Sequence, residues 1–246
     1  KEDRAYDLAD EGRGFLEQDR YEEAVEALQH ALTLAPKLAY ARNNLSLAYF
    51  CMRDNKRAAA EARAVLREDP KNVQAMCNLS MILHTAHDDE GANRMADALL
   101  QEETEDPEEL NRMALVLMDL DRFEQAYEVM QRLVRYYPYE TGAVHRLGVC
   151  AYETGRYREA TECYDKLLKI NAGDTVARYY RGLCRAAQTG GAPHGRKRKF
   201  LFNYQVPVDE MLARVNRLNA ILSLPQEELD ARWREDDELK NLIEWG

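Results

Sequence analysis

An all-α fold, a stack of helix–turn–helix repeats closed by a C-terminal helical cap, follows from three observations on this 246-residue sequence. Aligned on a 34-residue step, one column holds only alanine: Ala24, Ala58, Ala92, Ala126 and Ala160. A second column, twelve residues upstream, holds only small residues: Gly12, Ser46, Ser80, Ala114, Gly148 and Gly182. A third aligns Pro36, Pro70 and Pro138, with Thr104 and Ala172 as departures. A period of this length marks a supersecondary unit repeated along the chain.

The columns define units 5–38, 39–72, 73–106, 107–140 and 141–174, followed by a half-unit 175–187. Each unit reads as a helix, a turn and a second helix. The small column lies midway along the first helix and the alanine column on the second. Two helices reach the lower end of the usual spacing, about 8–10 Å, only where neither carries a bulky side chain at the crossing. Proline cannot continue a helix interior but starts one well, so the proline column separates one unit from the next. Apolar residues recur at helical spacing between these markers; in the fourth unit Leu110, Met113, Leu117, Phe123, Met130 and Leu133 fill the core columns.

Beyond the half-unit, Thr189-Gly190-Gly191-Ala192-Pro193-His194-Gly195 breaks the pattern before another second helix can form. Residues 188–207 read as a basic and aromatic linker. The run Arg196-Lys197-Arg198-Lys199 precedes Phe200, Leu201, Phe202, Tyr204 and Val206, which reads as extended chain ending at Pro207. Residues 208–246 are expected to form two capping helices. Val208, Met211, Leu212, Val215, Leu218 and Leu222 share one face of the first. The second opens at Ser223, with Pro225 in its first turn and Gln226 at capping-box spacing. A repeat stack leaves an apolar surface bare at its end, which such a segment covers.

Composition narrows the function classes. Apolar residues at 46% suffice for a core, and 32% charged residues with 12 Gly and 7 Pro favour helices. A formal charge of −10 argues against non-specific attraction to nucleic acid or an anionic membrane. Five scattered cysteines (Cys51, Cys77, Cys150, Cys163 and Cys184), with no C-x-x-C spacing, read as reduced thiols of a cytoplasmic protein. No apolar run approaches the ~20 residues needed to span a bilayer. The chain begins at Lys1 and ends at Gly246 without evident termini, as an excised piece of a longer protein would.

The residues just described resemble the tetratricopeptide repeat family. Tyr21-Glu22-Glu23-Ala24, Phe123-Glu124-Gln125-Ala126 and Tyr157-Arg158-Glu159-Ala160 look like that family's aromatic-x-x-Ala start to the second helix. Leu147-Gly148 looks like its Leu-Gly pair in the first helix. The resemblance covers residues 5–172 as five units, with 175–187 opening a sixth; Asn55 and Asp89 depart from it where the aromatic should stand. It implies a right-handed superhelical stack whose first helices line a concave groove, where partners of the family usually lie.

Chemistry has few places to reside. Cys77, His84, His87 and Asp88 hold potential metal ligands, but structural zinc takes four closely spaced Cys or His ligands. The expected reading is two groove residues and a solvated turn. The acidic run Glu102-Glu103-Thr104-Glu105-Asp106-Pro107-Glu108-Glu109 could bind a cation or a basic partner, yet such runs more often place carboxylates at a helix N-terminus. The four-residue basic run reads as a solvated loop. No phosphate loop, nucleophile elbow or H-E-x-x-H occurs. No enzyme, metal or cofactor is expected.

In the family the groove is lined by positions 2, 5, 6, 9, 12 and 13 of each first helix. Carried over, position 9 holds Arg13, Leu47, Met81, Leu115, Val149 and Leu183, and position 12 holds Leu16, Phe50, His84, Met118, Tyr152 and Ala186. Tyr40, Asn43, Asn111, His145 and Tyr179 add aromatic and polar groups. Co-chaperones of the family grip a carboxyl terminus with several cations; the corresponding positions here are Ala9, Arg13, Asn44, Gln74 and Asn78, and one Arg does not make that clamp. A position-6 asparagine series fits at Asn44 and Asn78 but breaks at Arg112, Arg146 and Tyr180. The expected role is a scaffold or adaptor binding a peptide or apolar segment of another protein. Affinity is expected from Leu47, Phe50, Met81, Leu115, Met118, Val149 and Tyr152, and orientation from Asn43, Asn44, Asn78, Asn111 and Arg146. The alternatives are the regulatory or sensor part of a larger enzyme or transcription factor, with residues 200–207 folded over the groove, and self-association through an open end of the stack.

Overall fold

The computed structural model describes residues 2–189, which form eleven α-helices and no strand. They are α1 (Glu2–Glu17), α2 (Tyr21–Leu34), α3 (Ala39–Cys51), α4 (Asn55–Glu68), α5 (Val73–Thr85), α6 (Asp89–Leu99), α7 (Pro107–Asp119), α8 (Phe123–Tyr136), α9 (Thr141–Glu153), α10 (Tyr157–Ile170) and α11 (Thr175–Gln188). The first helices α3, α5, α7, α9 and α11 start 34 residues apart, at Ala39, Val73, Pro107, Thr141 and Thr175. The linker, extended stretch and capping helices expected after Thr189 lie outside the described residues.

The small and alanine columns meet as the sequence requires. Ser46 donates its hydroxyl to the Ala58 carbonyl at 2.8 Å, and Ser80 donates to the Ala92 carbonyl at 3.0 Å. Each bond joins a first helix to its own second helix at the crossing point. At Gly12 an added Cβ would lie 2.6 Å from Leu28 Cγ, and at Gly148 one would lie 2.8 Å from Tyr164 Cζ. All five alanines of the column are fully buried.

Every first helix among the first five repeats ends by the same turn. Asp19, Arg53, His87, Asp121 and Gly155, again 34 residues apart, all have positive φ, between 58° and 76°. The next residue's amide reaches back to the carbonyl five residues earlier: Arg20 to Phe15, Asp54 to Tyr49, Asp88 to Leu83, Arg122 to Leu117 and Arg156 to Ala151. This pairing satisfies carbonyls that the helix end would leave bare. Only the fifth repeat uses glycine there; aspartate accepts the left-handed conformation more readily than most residues, arginine less so. Acceptor side chains then open many helices: Asp54, Asn72, Asp88, Asp106, Glu140 and Asp174 each take a backbone amide of the following first turn.

Two compact units divide the chain, Lys1–Val129 and Met130–Gly246, with the boundary inside α8. Within the N-terminal unit α1 packs on α2, α3 on α4 and α5 on α6, and each second helix touches the next first helix. Successive first helices α1, α3, α5 and α7 also touch one another, so their free sides form one surface. The core runs between the layers: Leu28, Leu45, Tyr49, Leu79 and Ile82 belong to one cluster with the buried alanines. In the C-terminal unit α10 packs against both α9 and α11, which also touch each other. Tyr164 and Leu167 of α10 are buried with Val144, Cys150, Leu183 and Cys184.

Candidate functional site

The surface built by the first helices is the candidate site, and its character differs between units. On the N-terminal unit, Leu47 and Phe50 of α3, Met81 of α5 and Leu115 of α7 are half-buried, each keeping part of its apolar surface at the solvent. Phe50 and Tyr40 rest against the core cluster. Met118 of α7 is buried, so it belongs more to the core than to the open strip. Asn111, also on α7, is half-buried.

Polar groups frame this strip at its N-terminal end. The Tyr40 hydroxyl donates to Asp10 Oδ1 at 2.7 Å, linking α3 to α1. Burial, and then the bond to Asp10, push the Tyr40 phenol up to about 12, while Arg13 nearby pulls the other way. Tyr40 is therefore a neutral donor at physiological pH. Asn44 is buried beside the Tyr40 oxygen, close enough to favour phenolate slightly, without a hydrogen bond of ordinary length.

The other two asparagines are engaged by the protein itself. Asn78 Nδ2 donates to the Asn43 carbonyl at 2.9 Å, and Asn43 Nδ2 donates to Asn72 Oδ1 at 3.0 Å. Asn72 Oδ1 also accepts from the Ala75 amide at 3.0 Å. A chain of amides thus ties α3 to the start of α5 and sets the spacing of the two helices. His84 Nδ1 lies 2.9 Å from Asp89 Oδ1, which turns its ring toward the start of α6. His87 occupies the left-handed turn position, and Cys77 is buried on α5. Among the described residues, no group of three or more His, Cys, Asp or Glu is placed to hold a metal ion.

On the C-terminal unit the corresponding positions are closed. Val149 is 1% exposed, Tyr179 2% and Tyr152 8%. The Tyr152 ring packs on Tyr157 with centroids 5.4 Å apart. His145 sits edge-on to Tyr164 at 5.7 Å and to Tyr180 at 5.2 Å, and those two tyrosines stack at 5.2 Å. Burial pulls the His145 imidazole down to about 4, against the weaker opposing pull of Asp174, so the ring is neutral at pH 7. Arg146 lies 3.8 Å from Glu140 across the first turn of α9. Burial drives the thiols the other way: Cys77, Cys150 and Cys184 are pushed up to about 12 and Cys163 to about 11. A thiol held protonated is a poor nucleophile, and these cysteines act as small apolar residues.

Two features were beyond the reach of the sequence. The left-handed turn column is invisible by residue type, since Asp19, Arg53, His87, Asp121 and Gly155 share only their spacing. The asparagine chain through Asn72 joins residues 29 apart, for which no local pattern exists. Among the described residues, no helix is long and apolar enough to cross a membrane.

Comparison with known proteins agrees with this architecture. Family models described as tetratricopeptide repeat match residues 9–72 and residues 117–183, together just over half of the chain. No curated protein matches significantly. Among solved structures, PilF of Pseudomonas aeruginosa is similar at 20% identity and a TM-score of 0.61, covering 96% of this chain and 99% of that one. YrrB, described as a TPR protein with an unusual peptide-binding site, has 19% identity and a TM-score of 0.56, over 86% of this chain and 99% of its own. TTC0263, a thermophilic TPR protein of Thermus thermophilus, has 15% identity and a TM-score of 0.56, covering 74% and 98%. At these identities the likeness speaks for the fold alone.

Proposed function

Because the chain belongs to the tetratricopeptide repeat family, we propose that it is a non-catalytic scaffold that holds an apolar segment of a partner polypeptide on the first-helix surface of its N-terminal unit. One observation carries this reading: Leu47, Phe50, Met81 and Leu115 form a half-exposed apolar strip along helices that touch side by side. An apolar strip on a rigid support, with polar groups at its border, has the anatomy of a protein-binding surface. Tyr40 and Asn111, which keep part of their surface open, stand where they would orient a bound backbone, while the buried Asn44 backs Tyr40, Met118 supports the strip from beneath, and Asn43 and Asn78 serve by fixing the α3–α5 spacing. His84, His145, Arg146, Val149, Tyr152 and Tyr179 have support roles in this reading, since each is engaged or enclosed by its own unit. The protonated thiols suit a reducing compartment and hence a cytoplasmic protein.

The test is a capture experiment with the full chain. Leu47→Asp, Met81→Asp and Leu115→Asp place charge on the strip without entering the core, so helical content should persist by circular dichroism. Proteins recovered with the wild-type chain from its native lysate should be lost with the triple variant. Unchanged recovery by a folded triple variant would refute the reading.

A further inference from the structure

Among the described residues the exposed large apolar and aromatic side chains are unevenly spread. Tyr6 stands by itself on α1, whereas Tyr136 (46% exposed), Tyr137 (51%), Tyr139 (81%) and Ile170 (51%) fall in or beside two consecutive turns. Those turns, α8 to α9 and α10 to α11, each join a second helix to the next first helix, so the repeat places both on one edge of the C-terminal unit. Arg135 and Lys169 lie in the last turns of α8 and α10 beside these side chains, exposed and without an ion pair among the described residues. The carboxylates of the same turns point elsewhere. Glu140 accepts from the Gly142 and Ala143 amides, and Asp174 accepts from the Ala177 amide at 2.9 Å. What remains outward is aromatic and cationic.

The corresponding edge of the N-terminal unit is built differently. Its turns are bridged by ion pairs, Lys37 to Glu68 at 2.9 Å and Lys71 to Glu102 at 3.6 Å. The turn before α7 and the first turn of that helix then present Glu103, Glu105 and Glu108, exposed and without an ion pair among the described residues. Asp106 in that turn is occupied as the α7 cap, accepting from the Glu108 amide at 2.8 Å.

We propose that the aromatic and cationic edge of the C-terminal unit docks the acidic turn before α7 of a second copy of this chain. Two complementary charged patches on one sequence make the contact heterologous, and tyrosine with arginine supplies the side-chain types that dominate interface energy. A cation at a helix C-terminus needs no special cause, but the bare tyrosines beside it do, and docking covers them. Charge steering makes the association sensitive to ionic strength.

Sedimentation velocity on the full chain, over a wide concentration range at low and high salt, tests this. The wild type should associate with rising concentration, less so at high salt. Arg135→Glu with Lys169→Glu, and separately Glu103→Arg with Glu105→Arg, should each weaken association by at least about tenfold. Mixing these two charge-reversed variants should restore it, because each then offers what the other lacks. Tyr139→Ser should weaken association while leaving its salt dependence in place, and Leu47→Asp with Met81→Asp should leave it unchanged. A wild-type chain that stays monomeric throughout, or association indifferent to both reversals, would overturn the proposal.

Discussion

The first helices of the two units are built on one repeat yet treat equivalent positions in opposite ways. In the N-terminal unit the position occupied by Leu47, Met81 and Leu115 keeps part of its surface wet; in the C-terminal unit the same position, Val149 and Leu183, is sealed. Ring packing accompanies the difference. Tyr164 and Tyr180 pack edge-on to His145 and stack on each other, Tyr179 sits edge-on to Tyr180 and Tyr152 packs on Tyr157, whereas α3 and α5 are joined by amide hydrogen bonds through Asn43, Asn72 and Asn78. An amide chain fixes helix spacing while covering little area. An aromatic cluster fixes it by filling the space. One architecture therefore yields an open apolar strip and a closed core from the same register.

The largest test of that contrast is to put one charge at matched positions. Val149→Asp buries an unpaired carboxylate and should destabilise the C-terminal unit by at least ~3 kcal/mol in chemical denaturation. Leu47→Asp, at the matched position of α3, should stay within about 1 kcal/mol of wild type. Equal losses at both sites would erase the distinction between strip and core.

Acid should separate the units next. An unfolded histidine takes its proton near the usual ~6.5, while the folded His145 does so only near 4. Between these values the unfolded state holds more protons, so the contribution is complete above the unfolded pKa and is lost as pH falls toward 4. Allowing for partial exposure of the ring, the loss should be on the order of 2 kcal/mol. Protection factors of α9 and α11, corrected for the intrinsic pH dependence of amide exchange, should fall between pH 7 and 4.5, and His145→Gln should remove most of that change.

A smaller effect of opposite sign is expected at Tyr164. Its hydroxyl is fully buried without a hydrogen-bond partner among the described residues, so Tyr164→Phe should stabilise the C-terminal unit by about 1 kcal/mol, read from the denaturation midpoint. Smallest of all is Lys37→Met, which removes an exposed ion pair and should leave the midpoint unchanged within error.

Much of this fold was legible because close packing constrains residue size. The alanine column and the small column are two sides of one helix crossing, and the Ser46 and Ser80 bonds show the contact directly. The site was legible only in part. Apolar residues at groove positions identify a stripe, but Leu47 and Val149 look alike in sequence, and burial depends on what lies across from each. The asparagines misdirect for a related reason: an amide suits a ligand's backbone and a neighbouring helix's backbone equally well, and Asn78 bonds to the carbonyl of Asn43. The turn column at Asp19, Arg53, His87, Asp121 and Gly155 left no chemical signature because hydrogen bonds, rather than glycine, hold four of its five members in place.

Site-specific photocrosslinking addresses the open strip most directly. A photoreactive side chain at Met81, on the first-helix surface, should trap partner polypeptide in the native lysate, while the same group at the exposed Arg63 of α4 should not. Adducts formed equally from both positions, or from Arg63 alone, would contradict the assignment of the strip as the binding surface.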